Sequence, residues 1–366
     1  MASASAHGNG PAAGEPSAAD EPSAAGEPPA AGTGVGSDAA GPGEIPWRGW
    51  FLILRRVVRR TLADNFSLYS AAVAFFAVLS IAPVLVTALS VYGAVNTPAQ
   101  ALHHLSGLAA VLPPALGDVM ADQLVSITAA STEVLTVRGL LALTVALGTA
   151  MTAMTFLVEA LNVAYREQET RGVVRRARLA LTFVLGGAVG LGAVIAGSAL
   201  VTRALREAPD WFRLVILTGV WVVLAVLMAL GLGVLYRFAP ARRGRARWRW
   251  ISRGAVAATT VWLASSAGLF VYVQNLGTYE RTYGSLAGVA ISMFWLWLTV
   301  LLVVLGAALN AEAERQTRRD STVGPSRPPG RRGAVVADDV PPHPEDPGEA
   351  PDVDEARTTT PLAEGR

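Results

Sequence analysis

The sequence predicts an all-α polytopic membrane helix bundle, with six transmembrane helices and an N-terminal interfacial helix. Three observations predict it. Of the 366 residues, 52% are hydrophobic and only 16% charged, against about 25% charged in soluble domains, and mean hydropathy is +0.41. Six long apolar segments stand at about 66–93, 139–163, 179–202, 214–236, 254–276 and 286–309, each at or above the roughly 20 residues that span a hydrocarbon core. Arginines crowd every second connection between them. No segment alternates with period two, which disfavours an outer-membrane barrel.

The formal net charge of +2 conceals a division. Residues 46–319 hold 25 Arg and 12 acidic residues, a net of +13, while the two ends hold 5 Arg and 16 acidic residues, a net of −11. The chain has no Cys, and all 30 basic residues are Arg. Disulfides, thiolate metal sites, cysteine nucleophiles, a phosphate-loop lysine and a Schiff-base lysine are therefore excluded.

In chain order, residues 1–45 are Ala, Gly, Pro, Ser and acidic residues in a loose repetition around Glu15, Glu21 and Glu27. They lack the apolar burial that offsets ordering entropy, so a disordered tail is expected. Residues 320–366 read as a second, acidic disordered tail, with the membrane domain at 46–319 between them. The N-terminus lacks the basic region of a signal peptide. Residues 46–64 combine Trp47, Trp50, Phe51 and Leu54 with Arg55, Arg56, Arg59 and Arg60. This pattern predicts a helix on an anionic membrane surface in preference to a frayed start of the first span.

Pro83 interrupts the first segment and frees a carbonyl near Leu79. The connection 94–138 carries apolar spacing for two short amphipathic helices, around 102–112 and 115–129. Glu159 lies about one turn from the end of the second segment, followed by Asn162 and Tyr165. The third segment has Gly186, Gly187, Gly190 and Gly192, and the fourth has Gly231 and Gly233. This spacing permits close helix contact. It favours packing within the chain over pairing between copies, with a homo-oligomer left open. Gln274 and Asn275 end the fifth segment, ahead of Tyr283.

The arginines set an orientation. They cluster before the first segment, between the second and third (including Arg175 and Arg176), between the fourth and fifth (Arg242, Arg243, Arg245, Arg247) and after the sixth. The other three connections are poor in Arg. By the positive-inside rule both termini are cytoplasmic.

Catalytic constellations are nearly absent. His103 and His104 diverge on a helix, and with Asp118 and Asp122 they match no metal-ligand spacing. No catalytic, metal or cofactor site is expected. The Arg/Trp loop 242–250 could stack on bases and hold phosphates, but between two spans it reads as a topology signal. Nucleic acid is therefore not an expected partner, whereas the bilayer and anionic lipids are. Intramembrane polar and helix-breaking residues are the better candidates, because they are costly in lipid. Glu159, Asn162, Pro83, Gln274, Asn275 and Tyr283 are candidates to line a substrate cavity. Glu159 has a plainer alternative, pairing with a nearby Arg.

The most specific stretch begins Leu-Tyr-Arg-Phe-Ala-Pro at 235–240. It continues through Gly254-Ala255, Trp262, Tyr272-Val273, Tyr283-Gly284-Ser285-Leu286 and Trp295-Leu296-Trp297, and closes on Leu305-Gly306-Ala307-Ala308-Leu309-Asn310-Ala311-Glu312. It resembles the C-terminal half of the YihY/BrkB family of bacterial inner-membrane proteins. Ala74-Phe75-Phe76-Ala77 with Pro83, Leu161–Tyr165 and Glu169-Thr170-Arg171 are similar to other parts of that family. The resemblance covers roughly 50–315 and departs at Ala308, where the family pattern leads one to expect Glu; Glu312 and Glu314 remain. It implies a bacterial plasma-membrane location. The family has been named for a ribonuclease and for a serum-resistance factor. A phosphodiester-cleaving site needs clustered carboxylates, His or Lys, which this sequence does not supply. The readings carried forward are a transport-like or envelope-lipid role without enzymatic activity, then a scaffold recruiting partners through its tails, and most remotely a nuclease.

Overall fold

The computed structural model describes residues 35–95, 132–205, 209–241, 246–275 and 285–339. After a 3-10 turn at Pro42–Glu44, helix α1 runs Trp47–Ala63 and α2 runs Phe66–Val95. Four further long helices follow: α3 (Thr132–Ala164), α4 (Val173–Leu205), α5 (Asp210–Phe238) and α6 (Trp248–Asn275). Then come α7 (Ser285–Arg315) and the single turn α8 (Val335–Asp338). Among the described residues no strand forms; Ala246 and Thr322 make a lone antiparallel bridge. Helices α2 to α7 are the six that are long and apolar enough to cross a membrane. At most 17% of any spanning window is buried, so the apolar side chains mostly face outward, as lipid requires. Helix α3 already begins at Thr132 and takes in the end of the expected 94–138 connection. The two amphipathic helices expected there lie outside the described residues, apart from that end.

Helix α7 is the hub. It packs on α6, α2, α3 and α1, while α2 and α3 form the most extensive pair. Helix α4 is held mainly by α3, and α5 mainly by α6. Although consecutive, α4 and α5 share no extensive contact among the described residues. Indole donors link α6 and α7: Trp262 Nε1 donates to Thr299 Oγ1 at 2.9 Å and Trp295 Nε1 to Ser266 Oγ at 3.2 Å. Each satisfies a polar atom that hydrocarbon would leave unpaired.

The glycines that bring helices together are not those the spacing singled out. A Cβ at Gly186, Gly187, Gly190 or Gly192 would meet nothing within 4 Å. These α4 residues pack on no neighbour, which corrects the expectation of intrachain contact. Gly231 is equally open, and Gly233 alone of that pair abuts Trp248. The close approach lies between α6 and α7. A Cβ on Gly254 would strike the Gly306 carbonyl and Asn310, and one on Gly306 would strike Tyr236, Ala258 and the Gly254 carbonyl. There Asn310 Oδ1 accepts from Gly254 N–H at 2.7 Å, and its Nδ2 donates to Ile251 O at 2.9 Å. The buried Tyr236 hydroxyl adds a bond to Val303 O at 2.7 Å.

Helix α1 is two-faced. Trp47, Phe51, Leu54, Val58 and Leu62 are exposed at helical spacing, a continuous apolar stripe. Gly49, Ile53 and Val57 are buried on the opposite side. Residues just outside 46–319 hydrogen-bond to one another and to the body. Gln316 Nε2 donates to Val35 O at 2.9 Å, Arg318 N to Ser37 O at 2.8 Å, and Thr317 Oγ1 to Ala39 O at 2.7 Å. Ser321 and Thr322 accept from Arg247, and Arg332 reaches the carbonyls of Arg327, Ala337 and Arg318. The ordered body therefore includes 35–45 and 320–339. Val35, Ala39, Ile45, Val336 and Ala337 are buried beside these bonds.

Candidate functional site

The polar chemistry collects where α1 meets the ends of α3 and α7 and the starts of α4 and α6. At its centre is Glu312, fully buried near the end of α7. A buried carboxylate must be paired to be tolerated. Arg56 Nε lies 3.0 Å away, an Arg60 nitrogen 3.2 Å, Arg315 3.0 Å and Arg166 3.6 Å. Three of these cations have acidic partners besides. Arg60 also holds Asp64 and the Val163 and Ala164 carbonyls, and Arg166 and Arg315 both reach Asp339. Arg56 has only Gln316 besides. Burial lowers the Arg56 and Arg166 guanidiniums from their ordinary value; Glu312 is what opposes it most strongly at Arg56.

The backbone turn that delivers Arg166 is strained for a residue with a side chain. Its φ is 56°, left-handed, where helix ends usually place glycine. Here the strained turn aims the guanidinium at Glu312 and Asp339. Of the α1 arginines expected on the membrane surface, Arg55 and Arg59 are exposed. Arg56 and Arg60 are partly buried and pair with Glu312. The inward face Ile53, Arg56, Val57, Arg60 mixes apolar and cationic residues. The one hint in the sequence was an acid, Glu312, at the end of an otherwise apolar helix.

The second cluster clamps two loops. Asn162 is buried; its Nδ2 donates to Glu169 Oε2 at 3.0 Å and its Oδ1 accepts from Ala241 N–H at 2.8 Å. Arg171 grips Glu169 through both oxygens at 2.7 and 2.6 Å and donates to Ala239 O. The Arg171 hydrogen bond is the main reason the Glu169 carboxyl is held down to about 2. Asn162, expected to line a cavity, is a structural tie. Glu159 pairs with Arg176 at 2.5 Å, the plainer of its two readings.

Pro83 sits half-buried inside α2, which runs on unbroken. Gln274 and Asn275 close α6; Tyr283, Arg242, Arg243 and Arg245 lie outside the described residues, as do His103, His104, Asp118 and Asp122. Arg175 is exposed and Arg247 binds Thr322 O at 3.0 Å. Among the described residues no three His, Asp or Glu gather as a metal site.

A shallow pocket of about 200 Å³ opens between the start of α4 and the end of α5. Arg171, Arg175, Arg178, Leu179, Thr182 and Phe238 line it.

Six spanning helices and a charged end tied to a buried carboxylate define a polytopic α-helical membrane protein. The chain belongs to the virulence factor BrkB family, which matches residues 57–331. It is 28% identical over 272 residues to a UPF0761 membrane protein of Verminephrobacter eiseniae, covering 73% of this chain and 62% of that one. It is 29% identical over 172 residues to the putative ribonuclease-like protein YfkH of Bacillus subtilis, covering 45% and 62%. A UPF0761 membrane protein of Alteromonas mediterranea is 26% identical over 259 residues, covering 68% and 83%. The matches span 62% of the length of the first two relatives. No solved structure matches.

Proposed function

We propose that this protein handles an anionic amphiphile in the bacterial plasma membrane, a transport-like or envelope-lipid role without enzymatic activity. The observation that carries this reading is the arginine-lined pocket between the start of α4 and the end of α5. Helix α4 is held mainly by α3 and α5 mainly by α6; among the described residues the two share little contact besides the Arg213 Nε bond to the Leu205 carbonyl. Between their ends at the arginine-rich side lies the pocket lined by Arg171, Arg175 and Arg178. A cationic pocket between two apolar helices that share little contact suits a molecule that has an anionic head and apolar chains. The support comes from this pocket rather than from Glu159, whose charge is taken up by Arg176.

The test is lipid movement. In vesicles containing the purified protein, a fluorescent anionic phospholipid should exchange between leaflets faster than in protein-free vesicles. Equal rates would refute the proposal. In this reading the arginine-rich end, with both chain ends, faces the cytoplasm. A cysteine at Ser106 should then react with an impermeant thiol reagent from outside, and one at Ser252 should not.

A scaffold is the second reading, favoured by the meeting of residues 35–39 with 316–318. That meeting would present whatever flanks them at one place. Deleting the flanking residues should then abolish function; retained function would exclude it. The ribonuclease-like name of one relative finds little support. The buried Glu312 and the clamped Glu169 are each engaged by arginine, which leaves them poor acid-base groups.

A further inference from the structure

We propose that the pocket between α4 and α5 binds the phosphate group of a membrane lipid, with Arg175 and Arg178 as its ligands. This rests on the lipid-handling reading and names its site. Arg171 is committed to Glu169 and to the Ala239 carbonyl. Arg175 and Arg178 make no side-chain ion pair or hydrogen bond among the described residues. Two cations one turn apart, beside a third that is already neutralised, leave positive charge facing the cavity. Guanidinium forks match phosphate oxygens and form charge-assisted hydrogen bonds with them.

The remaining walls favour a lipid over a soluble anion. Leu179 and the exposed ring of Phe238 are apolar, an unrewarding surface for free phosphate and a suitable one for the glycerol and first methylenes of a lipid. Thr182 spends its hydroxyl hydrogen on the Arg178 carbonyl at 2.8 Å and leaves an oxygen lone pair, so it adds no cation. Helical spacing then continues the Leu179 stripe through Gly186 and Gly190, seven and eleven residues on. No atoms crowd either glycine. The surface at these two glycines therefore leaves room for an apolar chain lying along α4. The pocket volume, about 200 Å³, holds a headgroup phosphate and its linkage but not a whole lipid, so the chains must lie along α4.

The experiment uses the full-length protein in phosphatidylcholine nanodiscs doped with spin-labelled phosphatidic acid. It reads the immobilised lipid fraction and its displacement. Arg175→Gln with Arg178→Gln should weaken phosphatidic acid retention at least about tenfold. Arg55→Gln with Arg59→Gln, which removes the same charge from α1, should leave it near wild type. Equal weakening by both pairs would make the attraction a diffuse surface effect and overturn the site. Dihexanoyl phosphatidic acid should displace the label, whereas inorganic phosphate and inorganic diphosphate at the same concentration should not. Displacement by inorganic phosphate would make the ligand a soluble anion and overturn the lipid assignment.

Gly186→Leu with Gly190→Leu should lower retention of the long-chain lipid and spare the dihexanoyl form; unchanged long-chain retention would remove this surface from the site. The two proposals fail separately. Leaflet exchange that persists in Arg175→Gln/Arg178→Gln with unaltered lipid retention sinks this pocket and leaves the function. Specific retention without exchange sinks the function and leaves the pocket.

Discussion

Replacing Glu312 by Gln should be among the most damaging single changes outside the membrane core. The carboxylate is wholly buried with four guanidiniums within 3.6 Å. Removing the acid leaves cations in a site built for a pair, and breaking a buried pair costs about 3–5 kcal/mol. The loss is not spread evenly. Arg60, Arg166 and Arg315 fall back on Asp64, Asp339 and loop carbonyls, while Arg56 keeps only the Gln316 amide oxygen. The lower end, about 3 kcal/mol, is therefore expected, with Arg56 as its main source. Thermal unfolding in detergent should show a fall in Tm of the order of 10 °C. The sharper measurement is the double-mutant cycle with Arg56→Gln. Deleting the orphaned cation should recover part of the loss, with an interaction energy of about 1–3 kcal/mol. Strict additivity, or a Glu312→Gln protein melting within about 1 °C of wild type, would refute the reasoning.

Gly254→Ala forces α6 off the Gly306 carbonyl and Asn310, and should cost about 1–3 kcal/mol by overpacking, read as a lower Tm. Asn162→Ala strands the Ala241 N–H and releases Glu169; a loss of about 1–3 kcal/mol is expected, with faster proteolysis in the 165–172 loop. The Glu169 carboxyl titrates at about 2 in the folded protein against 4.5 ordinarily. A depressed carboxyl stabilises the fold fully above the higher value and loses that contribution as pH falls through the lower one. Acid titration of Glu169→Gln should therefore show a smaller loss of stability between pH 4.5 and 2 than wild type, and identical acid profiles would contradict the clamp.

The spanning helices were legible because lipid imposes a composition that any window of the chain reveals; α2 to α7 each contain their predicted segment almost whole. The arginine-rich connections were legible for the same reason. What charge counting could not say is which arginines face inward. Arg55, Arg56, Arg59 and Arg60 look alike in sequence, and their sorting depends on Glu312, whose separation from Arg56 is 256 residues. Local periodicity carries no information at that range. The glycines misled for a related reason. A small residue permits close contact, but only a partner's arrival produces it, and Gly254 meets Gly306 while Gly186 meets nothing. The pocket between α4 and α5 was only half visible, since its arginines stood out by charge but Phe238 joins them through the fold.

The long separation within the Glu312 cluster also sets an order in time. Arg56 emerges from the ribosome 256 residues before the carboxylate it binds, and Arg60 252 residues before. At roughly 5–20 residues per second the two wait about 13–50 s for Glu312. During that interval α2 through α6 must enter the bilayer while the seat of α1 is unfinished. The last spanning helix brings the anion that completes it, after Arg60 has already met the Val163 and Ala164 carbonyls. A chain that ends before residue 312 lacks the carboxylate that Arg56 and Arg60 share, although Arg60 already has Asp64 four residues on.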